Sequence, residues 1–292
     1  MTNGERPAGI PVRHTVPTEL PGVSFLLTDD GSWSLRDERL EETYHSGCGA
    51  ASETWHVYLL NSGLMSRWQS GRKVRLLEVG FGTGMGWLMS TTAAHLLGGS
   101  LEYLGLEKRP LPMSLIQRCT EVPWQRLAGL SETWDRWKGQ ADRLRAELLE
   151  VAWSPDGVPD GTWIELPHGS ESGCSRLWIG DANDWVPKEE RWDIVFLDAF
   201  SPASNPELWE ERFLRNLVDQ IAEDGVLVTY CVNRKIRDCM GQVGLRVERL
   251  PGPPGGKREV LRATRAVERW TAAEGTSRVL AENRRDGGRE VH

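Results

Sequence analysis

Val74-Arg75-Leu76-Leu77-Glu78-Val79 runs directly into Gly80-Phe81-Gly82-Thr83-Gly84, and a helix-compatible stretch continues to Leu97 before Gly98-Gly99. The first six residues are a short apolar run, β-rich at its ends, that stops at glycines. This predicts a buried strand, a tight turn and a helix. Glycine lets the backbone turn sharply and lie against a ligand, while the helix N-terminus offers free N–H groups. A lone GxGxG is a weak signal, since glycine turns also merely connect elements; its place between strand and helix strengthens it.

Working outward, 101–106, 176–179, 192–197, 226–231, 245–250 and 259–261 are further strand candidates, with helices plausible between most of them. Such alternation predicts an α/β fold with a doubly wound, mainly parallel sheet and helices on both faces. Upstream, 24–28 and 33–35 form an expected hairpin across Asp29-Asp30-Gly31, because Asp-Gly supplies the positive φ of a tight turn. A helical stretch from Ala50 to Leu60 ends at Asn61-Ser62-Gly63. The interval 124–151 reads as an amphipathic helix and 154–173 is rich in Pro and Gly, so 124–173 is expected to be an insertion. Residues 1–20 and 267–292 read as loose tails around a single domain over 21–266.

The 292 residues, 39% hydrophobic and 26% charged, suffice for a large core and exclude a predominantly disordered chain. No apolar run reaches the roughly 18 residues of a membrane span. The start, MTNGERPAGIPVRH, lacks the layout of a signal peptide, so a soluble cytoplasmic protein is expected. Five widely spaced cysteines, without CxxC, support neither a disulfide framework nor a structural zinc. A formal net charge of −7 disfavours nonspecific coating of nucleic acid. Yet residues 234–265 hold nine Lys or Arg against three acids, which reads first as a solvated basic face and second as an RNA-contacting patch.

The glycine pattern is not the dinucleotide GxGxxG, and Glu78 precedes Gly80 by two. An acid there suits a ligand carrying an amine better than one carrying a pyrophosphate, and S-adenosylmethionine is such a ligand. Glu107 ends the next strand beside Lys108, where it either accepts ribose hydroxyls or is a plain surface acid. Gly180-Asp181 would place another acceptor near an adenine. Asp198-Ala199-Phe200-Ser201-Pro202 follows the apolar WDIVFL, at the sheet edge where ligands of such folds bind. Asp198 there either orients an acceptor amine and takes its proton, or caps a helix near Asn205. Tyr44-His45-Ser46, Glu53 and His56 form a polar group, and both histidines read as core or surface residues rather than metal ligands. Of the fourteen tryptophans, Trp87 and Trp209 are candidates to line a pocket.

HSGCGAASETWHVYLLNSGL, LLEVGFGTGMGWL, YLGLEKRPL, GDA, FLDAFSPASNPELW, LVTYC and KREVL, in this order between Leu26 and Thr264, resemble the methyltransferase-domain family of the tRNA wobble-uridine enzyme MnmC and its stand-alone form MnmD. The resemblance implies a Rossmann-like class I methyltransferase fold, with an N-terminal hairpin and helix extension. It implies an S-adenosylmethionine-dependent N-methyltransferase that converts 5-aminomethyl-2-thiouridine of tRNA to its methylaminomethyl form. It implies Asp198 as the catalytic acid that meets the amine. Glu78, Gly80, Phe81, Gly82, Thr83, Gly84, Glu107, Lys108, Asp181 and Ala182 would hold the cofactor. Tyr44, His45, Ser46, Glu53, Phe200, Pro202, Lys257 and Arg258 would face the substrate. No metal, no membrane and no flavin domain is expected. Gly86 stands where an Asn is usual, and Ala199 and Ser201 replace the commoner Gly and Ala. A small-molecule or protein amine is the alternative acceptor, and a silent cofactor-binding scaffold the second alternative.

Overall fold

The computed structural model describes residues 13–151, 158–169, 173–187 and 191–265. Four short strands open the chain: β1 (Thr15–Pro17), β2 (Val23–Leu27), β3 (Trp33–Asp37) and β4 (Glu42–Thr43), hydrogen-bonded in that order. The expected β2–β3 hairpin pairs Leu27 with Trp33, and Gly31 takes the positive φ of 84° at its turn. Helix α1 (Ala50–Glu53) runs on as a π-helical segment, Thr54–Leu60, and α2 is Leu64–Gln69.

Then come β5 (Val74–Val79), α3 (Met85–Leu97), β6 (Leu101–Glu107), α4 (Met113–Cys119), α5 (Trp134–Leu148), β7 (Thr162–Leu166) and β8 (Gly173–Ile179). The chain continues through β9 (Trp192–Leu197), α6 (Glu211–Asp219), β10 (Ile221–Thr229), α7 (Arg234–Gln242), β11 (Leu245–Pro251) and β12 (Glu259–Arg265). These eight strands form one sheet in the order β11-β12-β10-β9-β5-β6-β8-β7. Pairing is parallel from β10 through β8 and antiparallel at both margins. The strand order reverses between β5 and β9, which opens a crevice at their carboxyl ends, where ligands of such sheets bind.

Alternation along the central strands feeds two cores. Leu76, Ile194 and Phe196 pack with α3 and α5 on one face, while Leu77, Val195 and Leu197 pack with α6 and α7 on the other. All six are essentially solvent-free, and each such burial contributes about 1.5–3 kcal/mol before entropy is set against it. Helix α3 is buried from Met85 to Ala94, as its apolar composition on all sides requires.

Two expectations need correction. Residues 15–17, read as part of a loose tail, pair with β2, because strand pairing uses backbone groups that composition does not report; Arg13 also meets Asp29 at 2.8 Å. Within the interval 124–173, read as an insertion, α5 packs on α3, Trp124 and Trp137 lie in the main core, and β7, which the sequence did not suggest as a strand, forms the sheet margin against β8. Finally, β10 begins at Ile221 rather than 226, with a register shift across Ala222-Glu223-Asp224-Gly225, a stretch that reads as a turn in sequence. The tail 267–292 lies outside the described residues.

Candidate active site

A cleft of about 780 Å³ opens at the carboxyl ends of β5, β6, β8 and β9. Its floor is the glycine loop. Gly80, Gly82 and Gly84 all have positive φ, and a Cβ on Gly80 would lie 2.6 Å from the Asp198 carbonyl oxygen. Glycine is therefore required where β5 and β9 release their chains side by side. Gly84 precedes α3, and the Phe81 ring is wedged against Gly84. The Thr83 hydroxyl is buried without a hydrogen-bond partner. Such a group costs free energy unless a ligand satisfies it.

Acids stand at each strand tip. Glu78 accepts a hydrogen bond from the Tyr103 hydroxyl, and burial, opposed by that bond and aided by Glu107, pushes its carboxyl up to about 8. Glu107 accepts from the Gly82 N–H at 2.9 Å and the Arg109 N–H at 2.8 Å, while burial raises it. Asp181 accepts from Lys108 at 2.6 Å and from the Asn183 N–H at 3.0 Å; these partners outweigh its burial and hold it below the usual carboxylate range. Ala182 lines the cleft beside it.

Asp198 leaves β9 with its N–H on the Val79 carbonyl at 2.9 Å, and its Oδ1 accepts from the Tyr58 hydroxyl at 2.5 Å. Burial drives its carboxyl well up; the Tyr58 bond opposes this, Glu78 and Glu53 add to it, and Lys257 opposes it. The helix cap expected as the alternative role of Asp198 is not what this side chain does. The following loop is held from elsewhere. Ser201 and Ser204 donate to Glu42 on β4, and Trp209 donates to the Phe200 carbonyl at 2.8 Å. Phe200 packs edge-on against Tyr44, with ring centroids 4.8 Å apart, and both line the cleft.

Of the residues singled out from sequence, Tyr44, His45, Glu78, Gly80, Phe81, Gly82, Thr83, Glu107, Lys108, Ala182, Asp198 and Phe200 share the cleft lining. Ser46, Glu53 and Lys257 lie behind or beside it: the Ser46 N–H donates to Glu53 at 2.6 Å, and Lys257 sits 4.0 Å above the Tyr230 ring. Pro202 and Arg258 stand outside the lining, and Arg258 is exposed. His45 is buried on Ser34 at 3.0 Å and pushed down to about 4 by burial, so it is neutral; His56 meets the Pro251 carbonyl at 2.9 Å. Among the described residues no cluster of His, Cys, Asp and Glu is arranged for a metal, and no helix is long and apolar enough to cross a membrane. Trp87 is core, donating to the Pro167 carbonyl, and Trp209 braces the Asp198 loop rather than facing a ligand.

Sequence reasoning missed Tyr58, Tyr103, Tyr230 and Glu42. A signal was there: the chain has only four tyrosines against fourteen tryptophans, and all four tyrosines border this cleft. Burial raises each hydroxyl above its ordinary range, so all four remain O–H donors at neutral pH.

The donor set fits S-adenosyl-L-methionine. It offers carboxyl groups for an amine and for ribose hydroxyls, an unsatisfied Thr83 hydroxyl, close-approach glycines, and apolar walls at Val79, Leu106 and Ile179.

A family model described as S-adenosyl-L-methionine-dependent methyltransferase matches residues 165–266. The bifunctional MnmC protein of tRNA 5-methylaminomethyl-2-thiouridine biosynthesis from Azoarcus sp. (strain BH72) is 32% identical over 76% of this chain and 32% of its own length. Its namesake from Burkholderia vietnamiensis is 28% identical over 82% of this chain and 35% of its own length. The chain thus spans about a third of the length of these curated relatives. The crystal structure of MnmC2 from Aquifex aeolicus superposes with a TM-score of 0.60 at 23% identity, covering 93% of this chain and 77% of that one, and shows the same fold. With fold and sequence relatives in agreement, the chain belongs to the MnmC-like family of S-adenosyl-L-methionine-dependent methyltransferases.

Proposed function

We propose that the protein methylates the primary amine of 5-aminomethyl-2-thiouridine, or its 2-oxo form, at the wobble position of tRNA, giving the 5-methylaminomethyl nucleoside. The observation that carries this reading is Asp198: a buried carboxyl at the switch point, against the glycine loop, with one oxygen fixed by Tyr58. The names of the relatives supply the class of substrate.

Glu78, the backbone of Gly80 to Gly84, Thr83, Glu107, Lys108, Asp181 and Ala182 would hold the cofactor. When bound, S-adenosyl-L-methionine supplies an electrophilic methyl: the amine lone pair forms the N–C bond as the S–C bond breaks, its electron pair staying on sulfur. Asp198 accepts a hydrogen bond from the amine and aims its lone pair. Because burial raises this carboxyl's proton affinity, it can also hold the proton that an arriving ammonium must shed. Tyr44 and Phe200 wall the acceptor end and limit water.

Outside the mouth, Arg234 and Arg237 face Asp238, Arg246 faces Glu248 and Arg249 faces Glu259. Lys257 sits over the Tyr230 ring and faces Asp198, whereas the exposed Arg258, which has no carboxylate in ion-pair contact among the described residues, is one of the patch cations available to tRNA phosphates. A cytoplasmic location accords with this tRNA substrate.

The test is transfer of labelled methyl from S-adenosyl-L-methionine to bulk tRNA from a strain lacking this protein, followed by nucleoside mass analysis. A labelled methylaminomethyl nucleoside is expected. Cofactor binding with no labelled tRNA would redirect the acceptor to a small-molecule or protein amine.

A further inference from the structure

Tyr58 is the tyrosine whose hydroxyl donates to Asp198. It is 1% exposed and lies in Thr54–Leu60, which is wound as a π-helix, the Asn61 N–H bonding back to the His56 carbonyl. A π-turn takes an extra residue into the turn and is frequent at functional sites. Here Val57, Tyr58 and Leu59 are buried in succession. The Tyr58 ring rests on Phe196 of β9, with centroids 5.1 Å apart, and this contact carries its hydroxyl to the end of β9, where Asp198 emerges.

We infer that Tyr58 is a positioning residue for methyl transfer: by donating to Oδ1 of Asp198, it fixes the carboxyl's rotation and leaves Oδ2 for the acceptor amine. Oδ2 has no protein hydrogen-bond partner among the described residues. This rests on the function proposed above. The groups facing the pair are Glu53 and Tyr230 toward Tyr58, and Glu78, Glu53 and Lys257 toward Asp198. Three of these add negative or potentially negative charge and one is cationic, so the Tyr58 hydroxyl is a main support of the ionised carboxyl. Burial and the Asp198 charge keep the phenol itself protonated. A hydrogen bond to a charged acceptor in a dry site is stronger than one in water, so its loss is felt by the carboxyl.

Tyr58→Phe removes one hydroxyl and keeps the ring on Phe196. Two measurements are made on wild type and variant: the carboxyl carbon titration of Asp198 by NMR, identified by its loss in Asp198→Asn, and the pH profile of kcat/KM on tRNA. The Asp198 midpoint is expected to rise by about one pH unit in Tyr58→Phe, with the acid limb of kcat/KM moving alongside and kcat falling roughly tenfold. Cofactor affinity should be unchanged, because the hydroxyl touches no residue of the glycine loop. An unmoved midpoint with a uniform fall in rate, or a wild-type profile, would overturn the inference. If the wild type itself methylates no tRNA, the proposed function fails, whereas the substrate-free titration still decides the Tyr58 contact.

Discussion

At the cofactor end of the cleft, carboxylates meet backbone N–H groups and a lysine: Glu107 takes Gly82 and Arg109, Asp181 takes Asn183 and Lys108. At the acceptor end, a carboxyl meets a phenol: Asp198 takes Tyr58, with Tyr230 and Lys257 close behind. Burial raises carboxyls at both ends, Glu107 and Glu78 at the first and Asp198 at the second. What differs is the partners: Glu107 and Asp181 are held by backbone N–H groups and a lysine, whereas Asp198 is held on one oxygen by Tyr58 and keeps the other to respond to a substrate. On the proposed function, one end would hold the cofactor and the other would handle a proton.

The sharpest way to break this division is Asp198→Asn, an isosteric change that removes the proton acceptor. Its kcat should fall roughly a hundredfold or more while cofactor affinity stays within about twofold, measured by methyl transfer and calorimetric titration. Gly80→Ala crosses the boundary, since its Cβ would strike the Asp198 carbonyl at 2.6 Å with φ at 93°. We expect a loss of about 1–3 kcal/mol, read as a fall in Tm, together with weaker cofactor binding. An unchanged Tm would mean that the two chains are not in contact there.

A smaller effect separates the ends by pH. The Glu78 carboxyl is raised to about 8, chiefly by burial, so the folded chain keeps a proton that the unfolded chain releases above the ordinary glutamate value of 4.5. That contribution to stability is full below 4.5 and is lost as pH rises toward 8. Glu78→Gln should flatten the fall of Tm over this window; an unaltered slope would assign the fall to other groups. The smallest expected change is at the rim. Arg258→Ala should weaken tRNA binding by a few-fold and reduce the salt slope by about one, leaving cofactor binding untouched.

The cofactor end was legible because its signals are local. β5 and α3 occupy the predicted 74–79 and the stretch to Leu97, since a strand, three spaced glycines and a helix are adjacent in the chain. At the acceptor end Asp198, Tyr44 and Phe200 were legible, but not the groups that hold Asp198 and its loop. Its partner Tyr58 is 140 residues away and reaches it through a π-turn, which periodicity cannot reveal. Glu42 is likewise brought to Ser201 by the N-terminal sheet, across 159 residues. β7 escaped notice because Thr162–Leu166 sits among Pro and Gly and has only two buried residues, so its pairing with β8 is what makes it a strand.

If the proposed division of the cleft is right, holding the cofactor and handling the proton are separable. Cofactor titration and methyl transfer to tRNA on the same preparations of Asp198→Asn and Glu107→Gln decide this. Asp198→Asn should bind cofactor normally and fail to transfer. Glu107→Gln should bind roughly tenfold more weakly yet recover most of its kcat at saturating cofactor. Equal loss of binding in both variants, or near-normal turnover by Asp198→Asn, would contradict it.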